Sequence, residues 1–371
     1  MYQPSSSRPS TLHTPLCDLL GIRNPVVQAP MAGGWTTPEL VSAVSSAGGL
    51  GMLAGARVSP QKLQEDIRVV KEQTDKPFGV NFLLAPPEPG NKDVVTVQRF
   101  LDSFRDELDL PPGETDLTLP PSPLPDQLEV VFEERVPVLS VALGDPGELV
   151  ERAHAQGTPV ISMVTTVEEA VRVVEGGVDA VVAQGAEAGG HRSTFELGPG
   201  GEVPLVGTMA LVPQVVDAID VPVVAAGGIM DGRGLLAALT LGASGAQLGT
   251  RFLLANESGA HPAYRQHLLA ATETHTAVTR AFTGRPARGL RNRFMDEYLS
   301  SGLEPLAWPL QSAAAGDIYG ASQATDNGDY SPLFAGQGLR MLKEGQEAAE
   351  IVAELVEEAT AVLSRLNARP S

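Results

Sequence analysis

The run AQGAEAGGHRSTF at residues 183–195 sets a histidine on a pliable loop, with Gly185, Gly189 and Gly190 ahead of it. The loop follows VDAVVAQG, a string of small apolar residues that reads as a buried strand. A neutral imidazole, with an ordinary pKa of about 6.5, suits a general base near neutral pH. His191 is therefore the first candidate for proton abstraction. Its neighbours Glu187 and Arg192 read as groups that orient the loop rather than react.

Two more glycine turns close apolar runs. VPVVAAGGIMDGRG places Gly227 and Gly228, and GAQLGTRF places Gly249 and Thr250. In parallel barrels a phosphate commonly sits between two such neighbouring turns. Glycine lets the backbone approach a ligand closely, and a following helix N-terminus aims N–H groups at an anion. Other apolar runs end in polar or soft groups: QAPMAGG brings Met31 and Gly33, GVNF brings Asn81, and Gln184 precedes the histidine loop. An amide both donates and accepts, which suits the edge of a flavin or nucleobase ring. Loop capping is the equal alternative for Asn81 and Gln184.

Several chemistries are struck out. The chain has no HExxH, and its six histidines show no metal-ligand spacing. It has no GxSxG elbow, no GxGxxG after a strand and no Walker loop. A net charge of −19 would repel a nucleic-acid backbone and otherwise serves solubility. Cys17 is the only cysteine, which leaves no intrachain disulfide and makes it a small packing residue. The first residues lack the apolar centre of a signal peptide, and no apolar segment is long enough to cross a bilayer. No membrane partner and a cytoplasmic location are the expectation.

The elements that must position these groups follow from pattern. Short Val/Ala-rich runs at 25–29, 50–53, 78–82, 138–141, 159–163, 180–183, 223–225 and 246–248 read as strands. Helical patterns begin at TTPEL, SPQKLQEDI, DPGEL, TVEEAV and DGRGLLAAL, each with a Ser, Thr or Asp near its start. Near-continuous apolar strands separated by helices predict a parallel sheet buried on both faces, and eight strands close a TIM (β/α)₈ barrel. The reading is an α/β chain with a disordered Ser/Pro-rich tail at 1–13 and the barrel at 14–255. Within the barrel, residues 85–126 form a proline-rich extended loop around one helical stretch, VQRFLDSFRDEL. Residues 256–331 form an inserted, mainly helical second domain, a cap. Residues 332–371 return, and their long amphipathic segment packs as a helix on the barrel; a homo-oligomer contact is its lesser use.

The blocks QAPMAGGWTTPELVSAVSSAGGLGMLA, AQGAEAGGHRSTF and AAGGIMDGRGLLAALTLGASGAQLGTRF, in that order, resemble the nitronate monooxygenase family, formerly the 2-nitropropane dioxygenases, and its class I members above all. PLFAGQG at 332–338 is similar to a further family segment. The resemblance implies an FMN-binding TIM barrel with FMN touching Asn81, Gln184, Gly189, Gly228, Gln247, Gly249 and Thr250. Pro30 and Met31 would line the flavin face, and His191 would be the catalytic histidine. The implied reaction is oxidation of an alkyl nitronate by O₂ to a carbonyl compound and nitrite. His191 would remove the α-proton when the substrate is a neutral nitroalkane, while a preformed nitronate needs no base. One departure bears on substrate preference: VLSVALGDP at 138–146 has smaller, less aromatic side chains than the VSFTFG-like stretch of many relatives.

The alternative on the same barrel is an FMN-dependent NAD(P)H:quinone reductase or enoyl reductase; QAPMAGG and EAGGHR favour the monooxygenase. A barrel that keeps a ligand without chemistry would predict a damaged histidine loop, and a phosphate-sugar isomerase or lyase would need no flavin. Tyr264, Tyr298, Tyr319 and Tyr330 are equal candidates to close over the substrate.

Overall fold

The computed structural model of the chain describes residues 11–86 and 93–368. Its strands in chain order are β1 (Val26–Gln28), β2 (Gly51–Ala54), β3 (Phe78–Leu83), β4 (Val138–Ala142), β5 (Val160–Val164), β6 (Ala180–Gln184), β7 (Gly190–His191), β8 (Val223–Ala226), β9 (Gly245–Leu248), β10 (Thr276–Thr279) and β11 (Ala287–Leu290). Eight of them form one parallel sheet in the order β1-β9-β8-β6-β5-β4-β3-β2. A parallel bridge between Val27 and Leu50 joins β1 to the edge of β2, with Leu50 N–H donating to the Val26 carbonyl at 2.9 Å. The sheet thereby closes into the expected TIM barrel.

Nearly every residue of these strands is buried, as strands covered on both faces require. Gly51 shows how tightly the layers meet. A Cβ there would lie 2.3 Å from the Val41 carbonyl oxygen of helix Pro38–Ser46, so only glycine lets that helix seat. Four of the five predicted helix starts are capped as expected: Thr37, Ser59, Thr166 and Asp231 accept backbone N–H groups of their first turns. The helix Leu149–His154 has no side-chain cap; Asp145 instead accepts the Gly147 N–H at 3.0 Å. Helix Ala348–Asn367 packs across Gly232–Thr240 and Pro38–Ser46, serving as the outer helix that follows β9. Among the described residues, no helix is long and apolar enough to cross a membrane.

The second core corrects two expectations. Helix Val94–Glu107, from the stretch read as a loop around one helix, inserts Val97, Leu101 and Phe104 among Phe282, Phe294, Tyr298 and Tyr319. The proline-rich segment therefore builds half of the cap rather than only decorating the barrel. A further helix, Leu124–Glu133, closes that segment, and residues 87–92 lie outside the described residues. Arg105, 2% exposed, ties the two halves: its Nε donates to Asp317 at 2.7 Å, and its Nη1 donates to Asp102 at 2.8 Å and Gln98 at 2.9 Å.

The cap is mainly helical, but it also contains the antiparallel hairpin β10–β11, and β11 pairs with β7, setting Ala287 opposite His191. TAVT and ARGL are too short and too mixed to stand out as strands. At the other end of the chain Leu12 is already buried in the barrel core and His13 Nε2 lies 2.8 Å from Asp18, so order begins ahead of residue 14. Residues 1–10 of the expected tail lie outside the described residues.

Candidate active site

A single cleft at the C-terminal ends of the strands is lined by Pro30, Met31, Asn81, Gln184, Gly189, His191, Gly228, Gln247, Gly249 and Thr250. The structure thus brings these ten expected residues together. It does not give them all the same kind of work.

Gln184 holds the histidine loop. Its Nε2 donates to the His191 carbonyl at 2.8 Å, its Oε1 accepts the Ser193 N–H at 2.9 Å, and its own carbonyl accepts Arg192. Of the two roles open to this amide, loop capping is the one its hydrogen bonds fill. Glu187 and Arg192 orient the same loop, as anticipated: Thr208 donates to the Glu187 carboxylate from both N and Oγ1 at 2.9 Å, and Arg192 Nε donates to the Pro204 carbonyl at 2.8 Å. Gly189 lets the loop abut the PLFAGQG segment, because a Cβ there would fall 2.5 Å from the Ala335 carbonyl carbon.

His191 is fixed by the cap. Its Nε2 lies 2.9 Å from Thr283 Oγ1, and its ring packs against Trp308 and Phe334 with centroids 5.4 and 5.5 Å away. Burial pushes its pKa down to about 3, and the positive charges of Arg57 and Arg285 push the same way. The imidazole is neutral at pH 7 and able to accept a proton.

At the other end, Gly228, Ile229, Gly249 and Thr250 line the cleft, and their amide N–H groups donate to nothing within the described residues. Gly228 reaches its conformation at φ 73°, where other residues are strained. Of the two glycine turns, the second runs straight into a helix N-terminus, Gly249 and Thr250 being the N-cap and first residue of the short helix Thr250–Leu253, while the first does not. Helix Gly232–Thr240 is closed by Asp231, which accepts from Arg233 N at 2.9 Å, and by Glu358, which accepts from Gly232 N at 3.0 Å. The free donors are those of the first turn and of the start of helix Thr250–Leu253.

Between the two ends lie Gln247, 5% exposed and without a side-chain partner among the described residues, and Asn81, whose Nδ2 donates to Ser140 at 3.0 Å. An anion cradle, two buried amides and the apolar Pro30–Met31 wall match the phosphate, ring edge and ring face of FMN. The donor set fits that group.

Four further residues shape the cleft. Tyr264 alone among the four candidate tyrosines lines it, its hydroxyl donating to the Phe334 carbonyl at 2.5 Å, while Tyr298, Tyr319 and Tyr330 are spent in the aromatic core of the cap. Trp35 and Trp308 are the chain's two tryptophans, and both line the cleft. Their rarity was the available signal. Arg57, at φ 65°, lines it with no hydrogen-bond or ion-pair partner among the described residues. The VLSVALGDP stretch does reach the cleft, through Ala142 and Leu143. His261, by contrast, is not the bland solvated residue its surroundings suggest: its Nδ1 caps Tyr264 N at 3.2 Å and its ring packs on Trp35.

The chain is similar to known proteins along nearly its whole length. The family profile described as nitronate monooxygenase matches residues 13–358. A probable nitronate monooxygenase of Staphylococcus saprophyticus is 37% identical over 360 residues, 95% of this chain and 99% of that one. The nitroalkane oxidase of Streptomyces ansochromogenes superposes with a TM-score of 0.88 at 38% identity, covering 95% of this chain and 99% of the other. FabK of Thermotoga maritima superposes at 0.76 with 31% identity, over 96% and 99%.

Proposed function

The chain belongs to the nitronate monooxygenase family of flavin-dependent oxidoreductases, and from that premise we propose that it binds FMN and uses O₂ to oxidise an alkyl nitronate to a carbonyl compound and nitrite. The observation that carries the reading is the pairing, within one cleft, of a neutral, half-buried His191 with an anion cradle of unpartnered N–H groups. The reading brings with it a small-molecule substrate, no nucleic-acid or membrane partner, and a cytoplasmic location.

The turn amides of Gly228, Ile229, Gly249 and Thr250 would hold the phosphate, Asn81 and Gln247 the ring edge, and Pro30 and Met31 its face. Bound there, FMN supplies the electron-accepting ring. The chain's own contribution is to bind, orient and exclude water. With a neutral nitroalkane, His191 takes the α-proton, and the imidazolium so formed faces the negative charge that proton loss has just created. Arg57, whose field disfavours a protonated His191, favours that anion. With a preformed nitronate no proton need move, and His191 only packs beside the anion.

The 31% identity to FabK supports a second reading, an FMN-dependent reductase of quinones or enoyl groups that takes hydride from NAD(P)H. The visible spectrum of the purified protein under anaerobic conditions separates the two. Flavin absorbance that falls when an alkyl nitronate is added, with nitrite formed once O₂ is admitted, is the expected result. Absorbance unmoved by nitronate and bleached by NAD(P)H transfers the assignment to the reductase. For the base, His191→Asn should lower turnover of a neutral nitroalkane by about 10²–10⁴-fold and spare the nitronate. Equal rates for mutant and parent on the neutral substrate would sink that role.

A further inference from the structure

We propose that Thr283, supplied by the cap, is a positioning residue that sets the tautomer of His191, placing the ring proton on Nε2 and leaving Nδ1 as the basic nitrogen. The inference deepens the proposed function and rests on His191 acting there as the base.

Thr283 is 1% exposed and lies in the turn between β10 and β11. Its hydroxyl oxygen sits 2.9 Å from His191 Nε2 and 3.1 Å from the Arg285 carbonyl oxygen. A hydroxyl has one proton to give, a carbonyl can only accept, and a neutral imidazole nitrogen either donates or accepts. Only one assignment makes both contacts hydrogen bonds: Thr283 donates to the Arg285 carbonyl and accepts the proton carried on Nε2. Were Thr283 to donate to Nε2, its contact with Arg285 would set two lone pairs against each other. The Arg285 N–H, 3.4 Å from the same oxygen, is accepted by its other lone pair.

With Nε2 spoken for, Nδ1 is the ring nitrogen that has no partner among the described residues, on a side chain that lines the cleft. Trp308 and Phe334 hold the ring against rotation. The hairpin that carries Thr283 is itself registered on the histidine strand, Ala287 opposite His191 and Arg288 opposite Gly190. The donor–acceptor relation is thus built into the sheet that joins cap to barrel, and the cap presets the base as well as covering it.

The test is nitrogen NMR of protein labelled with ¹⁵N-histidine, the His191 signals being assigned by their loss in His191→Asn. The parent should show His191 with a protonated, pyrrole-like Nε2 and a pyridine-like Nδ1. Thr283→Val should shift the ring toward the other tautomer or a mixture, and Thr283→Ser should restore the parent pattern. In the FMN-loaded enzyme the ratio of nitroalkane to nitronate turnover should fall about 10- to 100-fold in Thr283→Val, less than removal of the base itself, and recover in Thr283→Ser. A parent spectrum with the proton on Nδ1 overturns the proposal, as does a Thr283→Val protein with unchanged tautomer and unchanged ratio. The parent spectrum alone decides the matter if Thr283→Val does not fold. If the tautomer is as stated but His191→Asn turns over nitroalkane normally, the base reading fails and the tautomer assignment stands.

Discussion

Between the barrel's strands and its outer helices the buried side chains are those of Val80, Val160, Val181, Ala225, Leu248 and their like, whereas the cap closes around Phe104, Phe282, Phe294, Tyr298 and Tyr319. The barrel draws its core a few atoms at a time from every consecutive β/α unit. The cap draws its core from two stretches far apart in sequence, 94–107 and 281–330, and concentrates it in stacked and tilted rings such as Phe282 over Phe294 at 5.2 Å and Phe104 beside Phe294 at 5.1 Å. Many small contributions make a core that tolerates loss. A few large ones make a core that fails at single positions.

Phe104→Ala should therefore have the largest effect on stability, about 4 kcal/mol, falling on the cap first. Amide exchange would show the cap opening while the eight strands of the parallel sheet stay protected. The matched change in the barrel, Val181→Ala, removes two methyl groups and should cost only about 1.6 kcal/mol. Equal losses, or exchange that rises uniformly, would break the contrast. Arg105→Met comes next. It strips Asp102, Asp317 and Gln98 of a shared partner at the seam between the cap's two halves, and since both carboxylates stay accessible to water the loss should be about 2 kcal/mol, the contribution of hydrogen bonds to a charged group. The urea midpoint should drop with the cap transition leading.

The same contrast explains what could be read beforehand. The barrel was legible because apolar runs of four to six residues, punctuated by caps such as Thr37 and Asp231, report local geometry. The site residues on strand ends, Asn81, Gln184 and Gln247, came with it, since a barrel converges those ends on one rim. The cap's partnership was not legible. Nothing local to VQRFLDSFRDEL says that Phe104 meets Phe294 across the sequence, and nothing in TAVT or ARGL says that their turn will reach His191. Thr283 and Arg57 carry no motif; only the fold brings them to the histidine. Residue type alone also left Gln184 open between flavin edge and loop cap, and two side-chain hydrogen bonds to its own loop were needed to show what its amide does.

The smallest expected effect is the most informative about how barrel and cap share the site. The charges that act on His191 come one from each: Arg57 from the loop after β2, and Arg285 from the turn leading into β11. Together with burial they hold the imidazole neutral down to about pH 3. An ordinary histidine base would lose about 30-fold in kcat/KM on a neutral nitroalkane between pH 8 and pH 5, whereas this one should lose almost nothing, because its protonation lies below that window. The stability sign follows from the same shift. The unfolded chain takes up the proton near its ordinary value while the folded chain refuses it until about 3, so this group's contribution is present above pH 6.5 and is lost as pH falls toward 3. His191→Asn should flatten that acid limb of the stability profile. Arg57→Ala, by removing the barrel's charge, should move the acid limb of kcat/KM upward in pH, while burial and the cap's Arg285 keep it below the ordinary histidine range. A flat profile in the parent that stays flat to the same pH in Arg57→Ala would assign the neutral base to the cap and to burial alone.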